Sequence, residues 1–192
     1  MVEGRIERST KVEKSYFRII TKLFTMRPDT VITVDPQGGE TLSMAGGNYR
    51  ILIPGEQTGK SFSVIEMLVP PGGGPGPHAH AAFQESFYVV DGEIVVRSET
   101  QQYVAKKGAF VSIPKGGAVH SFKNEGNENA LLICIVVASG LEEFFREVGK
   151  PAAYGEILPA PPVTPEFGQK LKAAGEKYGQ VIFPPDYLDK QK

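Results

Sequence analysis

Three histidines occur in the 192 residues, and all fall in two short stretches: His78 and His80 in PHAHAAFQE, and His120 in VHSFKN. In an extended chain, residues i and i+2 share a face, so His78 and His80 point the same way. Glu85 has the opposite parity to His80. A turn or bulge across Ala81 to Gln84 must restore its direction if it is to join the histidines. Three imidazoles and one carboxylate make a good ligand set for one divalent transition metal per chain: Fe, Mn, Ni, Co, Cu or Zn. A six-coordinate ion would keep two positions for water, dioxygen or substrate. A His-x-His pair alone is a weak signal, because a lone histidine in a β protein is more often structural.

The elements that must position these residues read as β. Short runs rich in Val, Ile, Phe and Tyr, such as YRILI (49–53), SFSVIEMLV (61–69), SFYVV (86–90), EIVVR (93–97) and AFVSI (109–113), are separated by Gly, Pro and Asn clusters. No helical pattern intervenes, which argues for a sandwich or barrel. The run ALLICIVV (130–137) does not alternate and is expected to be buried on both faces. Three zones follow: an N-terminal extension (1–29), a β-barrel (30–139) and a C-terminal helical extension packing on the barrel (140–192). In the last, GLEEFFREVGK and PEFGQKLKAAGEKYG have helical spacing, with Thr164 as the expected cap of the second. Both helices are expected on the outside of the core, with a lid over a barrel mouth as the lesser alternative. The N-terminal extension carries more Lys and Arg than acids. It reads as a solvated segment, or as a helix for a membrane surface or partner.

Two glycine-rich stretches invite misreading. GEQTGKS (55–61) has three residues, not four, between its glycine and the Gly-Lys pair, and it lies between strands. It reads as a hairpin connection and not a phosphate loop. PPGGGPGP (70–77) is expected to set unusual backbone angles and steer the chain into the histidines.

The spacing is longer than a chance His-x-His. Gly72-x5-His78-x-His80-x4-Glu85-x6-Gly92 matches the first cupin motif at each fixed position. Gly108-x5-Pro114-x-Gly116, then His120-x3-Asn124, matches the second with one extra residue before His120. The segment between them is short, as in small bacterial cupins. The chain therefore resembles the cupin superfamily over about residues 45 to 138. It looks most like single-domain cupins similar to quercetin dioxygenases. The resemblance implies an all-β fold, an antiparallel jelly-roll barrel with short C-terminal helices. It implies His78, His80, Glu85 and His120 as metal ligands, with Glu85 doubling as a catalytic base. Many such relatives carry Asp where this chain has Gln84.

By strand parity, Phe87 and Val89 share a face with Glu85, and Phe122 shares one with His120. These three are the candidate substrate-binding residues of an apolar chamber around the metal; each is equally at home as core filler. The implied reaction is a dioxygenase acting on a small oxygen-rich substrate, flavonol-like or an enediol. Isomerase, decarboxylase or lyase chemistry, or ligand binding without turnover, are the alternatives. Glu66, a carboxylate in an apolar run, orients a ligand histidine, bonds backbone or faces water. Cys134 reads as a small buried hydrophobe.

Composition narrows the partners. Charged residues make up 22% and the net charge is -1, so nothing suggests nucleic acid. No apolar run approaches a membrane span. One cysteine excludes an internal disulfide and fits the cytoplasm. A homodimer is expected from the family, with TVITV (30–34) as a strand that could be exchanged.

Overall fold

The computed structural model describes residues 10–25, 30–162 and 164–190. Contacts group the chain into two units, Met1–Thr33 and Val34–Lys192. In the first, α1 spans Lys11–Thr25. Thr10 and Glu13 form a reciprocal cap at its start: Thr10 N donates to Glu13 Oε2 (2.7 Å), and Glu13 N donates to Thr10 Oγ1 (3.2 Å). Val12, Tyr16, Phe17, Ile19 and Ile20 are exposed.

The second unit is built from short strands. In chain order they are β1 (Glu40–Met44), β2 (Gly47–Ile53), β3 (Ser63–Val69), β4 (His78–His80), β5 (Gln84–Asp91) and β6 (Glu93–Ser98). Then come β7 (Gln102–Lys106), β8 (Phe110–Ile113), β9 (His120–Lys123), β10 (Ala130–Val137), β11 (Lys150–Pro151) and β12 (Gln180–Ile182). Helices α2 (Leu141–Val148) and α3 (Pro165–Lys177) lie between the last strands. All pairings are antiparallel. One sheet has the order β11-β1-β2-β3-β10-β5-β8 and the other β12-β4-β9-β6-β7. This is the jelly-roll barrel that the motifs implied. The C-terminal segment is more than helical, because β11 extends the first sheet and β12 the second.

Two expectations need correction, at β10 and at Glu66. In β10, Ala130, Leu132, Cys134 and Val136 are fully buried, whereas Leu131, Ile133 and Ile135 are half-buried and Val137 is exposed. The strand lies between β3 and β5, so its outer side chains are sheltered by neighbours in the sheet, not by a second layer. Residues 30–34 belong to no strand, and Val31 is 87% exposed. Glu66 serves neither a histidine nor backbone: Arg50 Nε and Nη2 grip its two oxygens at 3.0 and 2.9 Å. This bidentate pair neutralises a carboxylate that the apolar run would otherwise strand.

The turns behave as their residues require. GEQTGKS begins with a 3-10 turn at Gly55–Thr58, followed by Gly59 with φ 59°, and it joins the paired strands β2 and β3. In the Pro-Gly loop, Gly74 has φ +129°, and a Cβ there would sit 2.1 Å from the Phe122 carbonyl oxygen. Asn124 clasps the same loop. Its backbone N donates to Gly73 O (2.9 Å), its O accepts from Gly72 N (2.7 Å), and its Nδ2 donates to Val69 O (2.9 Å). The loop is thus laid against β9 by backbone contact that only glycine permits. Gly74→Ala should lower stability by about 2 kcal/mol or more, through a positive φ and a backbone clash together. Urea unfolding measures this, and an unchanged midpoint would remove the close approach from the account.

Candidate metal centre

The site joins the two sheets. His78 and His80 leave β4 on one face, and His78 lies opposite His120 in the β4–β9 pairing. The bend at Ala81–Ala82 then carries the chain across to the other sheet, where β5 presents Glu85. This crossing resolves the parity problem. All four side chains are buried, and each offers one ligand atom within 4.8 Å of the others.

The hydrogen bonds define which atoms face inward. Nδ1 of His78, His80 and His120 lies 3.0 Å from the carbonyl oxygens of Gly76, Phe83 and Ala118 respectively. A carbonyl only accepts, so each Nδ1 carries a hydrogen, and Nε2 is the ring atom left to face inward. The Nε2 atoms of His80 and His120 both lie 3.2 Å from Glu85 Oε2. Two lone pairs aimed at one carboxylate oxygen need a cation among them, either protons on the rings or a metal ion. Burial, and then the neighbouring His120, pull His78 itself down from about 6.5 to about 4, so this third ring is neutral near pH 7. Burial alone would push the Glu85 carboxyl up, but the contacts from His120 and His80 outweigh it and hold the group well below the usual range. A neutral His78 and an ionised Glu85 fit a divalent metal, and the carbonyl contacts orient the rings as metal-ligating histidines require. Phe83 stacks on the His80 ring at 4.2 Å.

Cys134 is closer to the chemistry than its apolar strand suggested. Its Sγ donates to Glu85 Oε1 at 3.5 Å. Burial, and then the charge of Glu85, push the thiol well up, so it stays protonated. The placement comes from the β5–β10 register, which sequence spacing alone does not convey. Gln84 points away, exposed, with Nε2 donating to Ser112 Oγ at 3.1 Å. Its difference from Asp therefore does not reach the cluster through this side chain.

A cavity of about 170 Å³ opens on His78 and Glu85. Of the three candidate substrate residues, Phe122 lines it. Phe87 and Val89 do not: both are buried in the core, and Phe87 meets Phe122 edge to face at 5.1 Å. Parity gave their face but not their depth. The helices, expected outside, form wall. Leu141, Phe144 and Phe145 of α2 and Leu171 of α3 line the cavity. The carboxylate of Glu142 helps to fix the start of α2, accepting from Gly55 N and Gly140 N at 2.9 Å each.

Residues 65–136 match the family model described as the cupin domain. The barrel is a cupin domain. A curated relative, quercetin 2,3-dioxygenase from Bacillus subtilis (strain 168), is 26% identical over 150 residues, which is 77% of this chain and 44% of that protein. This chain thus spans less than half the length of that relative. Among solved structures, a sugar phosphate isomerase from a cupin superfamily, from Silicibacter pomeroyi, superposes with a TM-score of 0.50 at 20% identity, over 57% of this chain and 77% of its own. A predicted oxalate decarboxylase from Thermotoga maritima gives 0.49 at 25% identity, over 57% and 99%. The first of these bears on the fold alone. Among the described residues, no helix is long and apolar enough to cross a membrane.

The depressed His78 has a consequence for the metal-free protein. Between about 6.5 and about 4 the unfolded chain takes up a proton that the folded chain refuses. Stability is therefore highest above pH 6.5 and falls as the pH drops toward 4. Urea midpoints of metal-free protein across this range should decline, and His78→Gln should flatten the decline. An equal slope in that variant would take His78 out of the explanation.

Proposed function

We propose that this chain is a metal-dependent dioxygenase acting on a small, oxygen-rich organic substrate. The observation that carries the reading is the cluster itself: His78, His80, Glu85 and His120 offer ligand atoms within 4.8 Å of one another, and His78 and Glu85 of this set face an apolar cavity. A divalent transition metal held by His78, His80, Glu85 and His120 would supply Lewis acidity and a meeting place for substrate oxygens and dioxygen. The chain supplies the rest. Phe122, Phe144 and Phe145 exclude water and flank a flat molecule. Glu85, held ionised, is placed to take a proton from a substrate hydroxyl. The curated relative named quercetin 2,3-dioxygenase supports the same direction.

Isomerase or decarboxylase chemistry remains the second reading, since cupin neighbours carry such names. The wall argues against a phosphorylated substrate: no Arg or Lys is among the residues lining the cavity. A homodimer in the cytoplasm completes the proposal, and light scattering on the eluting protein tests the dimer.

The deciding experiment pairs elemental analysis with an oxygen electrode. Purified protein should carry about one metal per chain, and His78→Ala/His120→Ala should carry almost none. The loaded protein should then consume dioxygen with an enediol or flavonol, and the double variant should not. Metal binding without oxygen uptake across such a panel would exclude the dioxygenase and leave the second reading or a binding protein.

A further inference from the structure

The first unit differs from the barrel in charge. Residues 1–33 hold seven Lys and Arg against four Asp and Glu, which leaves fourteen against eighteen in the rest of the chain. The excess of positive charge is therefore confined to the N-terminal unit, and α1 sorts it onto one side. Lys11, Lys14 and Arg18 follow one another at three and four residues, so they stack along one side of the helix. Val12, Tyr16, Ile19 and Ile20 form a second stripe by the same rule. At 3.6 residues per turn the two stripes lie roughly 150° apart. All four apolar side chains are exposed, from 48% at Ile20 to 69% at Val12. Glu13, which falls toward the apolar side, is engaged by the cap, its Oε2 accepting from Thr10 N at 2.7 Å.

A helix of 15 residues is marginal in water by itself, and its stability comes from what its apolar face packs on. Charge narrows what that is. A second copy of α1 would bring the same excess of bases to the contact. The helix also gives only about two heptads, short of the three or four that a helix pair sustains. An anionic lipid surface suits both stripes at once. The apolar side enters the boundary between headgroups and acyl chains, and the bases stay in the headgroup field. A helix diameter of about 10 Å is close to the screening length in physiological salt, so bases on the far side still feel the lipid charge. We propose that α1 is an interfacial helix that lays the protein on an anionic lipid surface, with Val12, Tyr16, Ile19 and Ile20 on the acyl side and Lys11, Lys14 and Arg18 on the headgroup side. The inference concerns where the protein binds and is independent of the reaction proposed above.

Cosedimentation of the full chain with lipid vesicles tests it. One set is phosphatidylcholine, and the other holds about one third phosphatidylglycerol. The anionic vesicles should bind the protein at least tenfold tighter, since each base near such a surface contributes about fivefold. Salt at roughly 0.5 M should remove most of that difference. Lys14→Glu/Arg18→Glu should remove it at low salt. Ile19→Asp/Ile20→Asp should weaken binding to the anionic vesicles at least tenfold. All four of these residues are exposed, so Tm should stay level in both variants. No binding of the wild-type protein to either vesicle overturns the proposal. So does equal binding to both, or an Ile19→Asp/Ile20→Asp variant that binds as the wild type does. A wild type that ignores vesicles and is a dimer by light scattering, beside an Ile19→Asp/Ile20→Asp variant that is a monomer, would assign the stripe to a second copy and overturn the lipid surface.

Discussion

A single buried carboxylate oxygen, shared between two imidazoles, is the constraint around which this barrel is arranged. Glu85 Oε2 lies 3.2 Å from Nε2 of both His80 and His120. The carboxylate belongs to one sheet and the histidines to the other, so the site is a polar bridge through an otherwise apolar interior. Its cost is met by completeness. Each histidine has a carbonyl on its outer nitrogen, and the second oxygen of Glu85 has the Cys134 thiol. What the protein does not provide is the positive charge at the centre, and that is the chemical argument for a cation.

The remainder of the fold holds that bridge in register. The Pro-Gly loop, pressed on β9 through Gly74 and tied by Asn124, delivers β4 at the height of His120. Phe83 then stacks on His80 at the bend where the chain changes sheet. Rigid strands, not loops, carry the four side chains, which suits a site that must keep its geometry. Much of the cavity wall comes from elsewhere, from β1 to β3 and from a C-terminal segment that returns as helix, helix and strand, and the rest from the Pro-Gly loop and Phe122 of β9. The candidate metal ligands and much of the cavity wall thus reside in different stretches of the chain. A cupin barrel could keep one while varying the other, which is consistent with one fold carrying many functions.

The four charged and imidazole side chains, the β class and the two C-terminal helices were legible in the sequence because each depends on local spacing. Strand parity set His78 beside His80, Gly and Pro marked the turns, and Thr164 capped its helix by accepting from Phe167 N at 3.2 Å. Depth within the barrel was not legible. Phe87 and Phe122 have the same chemistry and both face inward, yet only Phe122 reaches the cavity. Cys134 and Arg50 gain their contacts from neighbouring strands, at Glu85 and Glu66. Spacing along the chain therefore determined which atoms could bind a metal, since those atoms lie on short elements with fixed periodicity. Tertiary structure alone decided what surrounds them, because register between distant strands and the return of the C-terminal segment set the cavity and its wall.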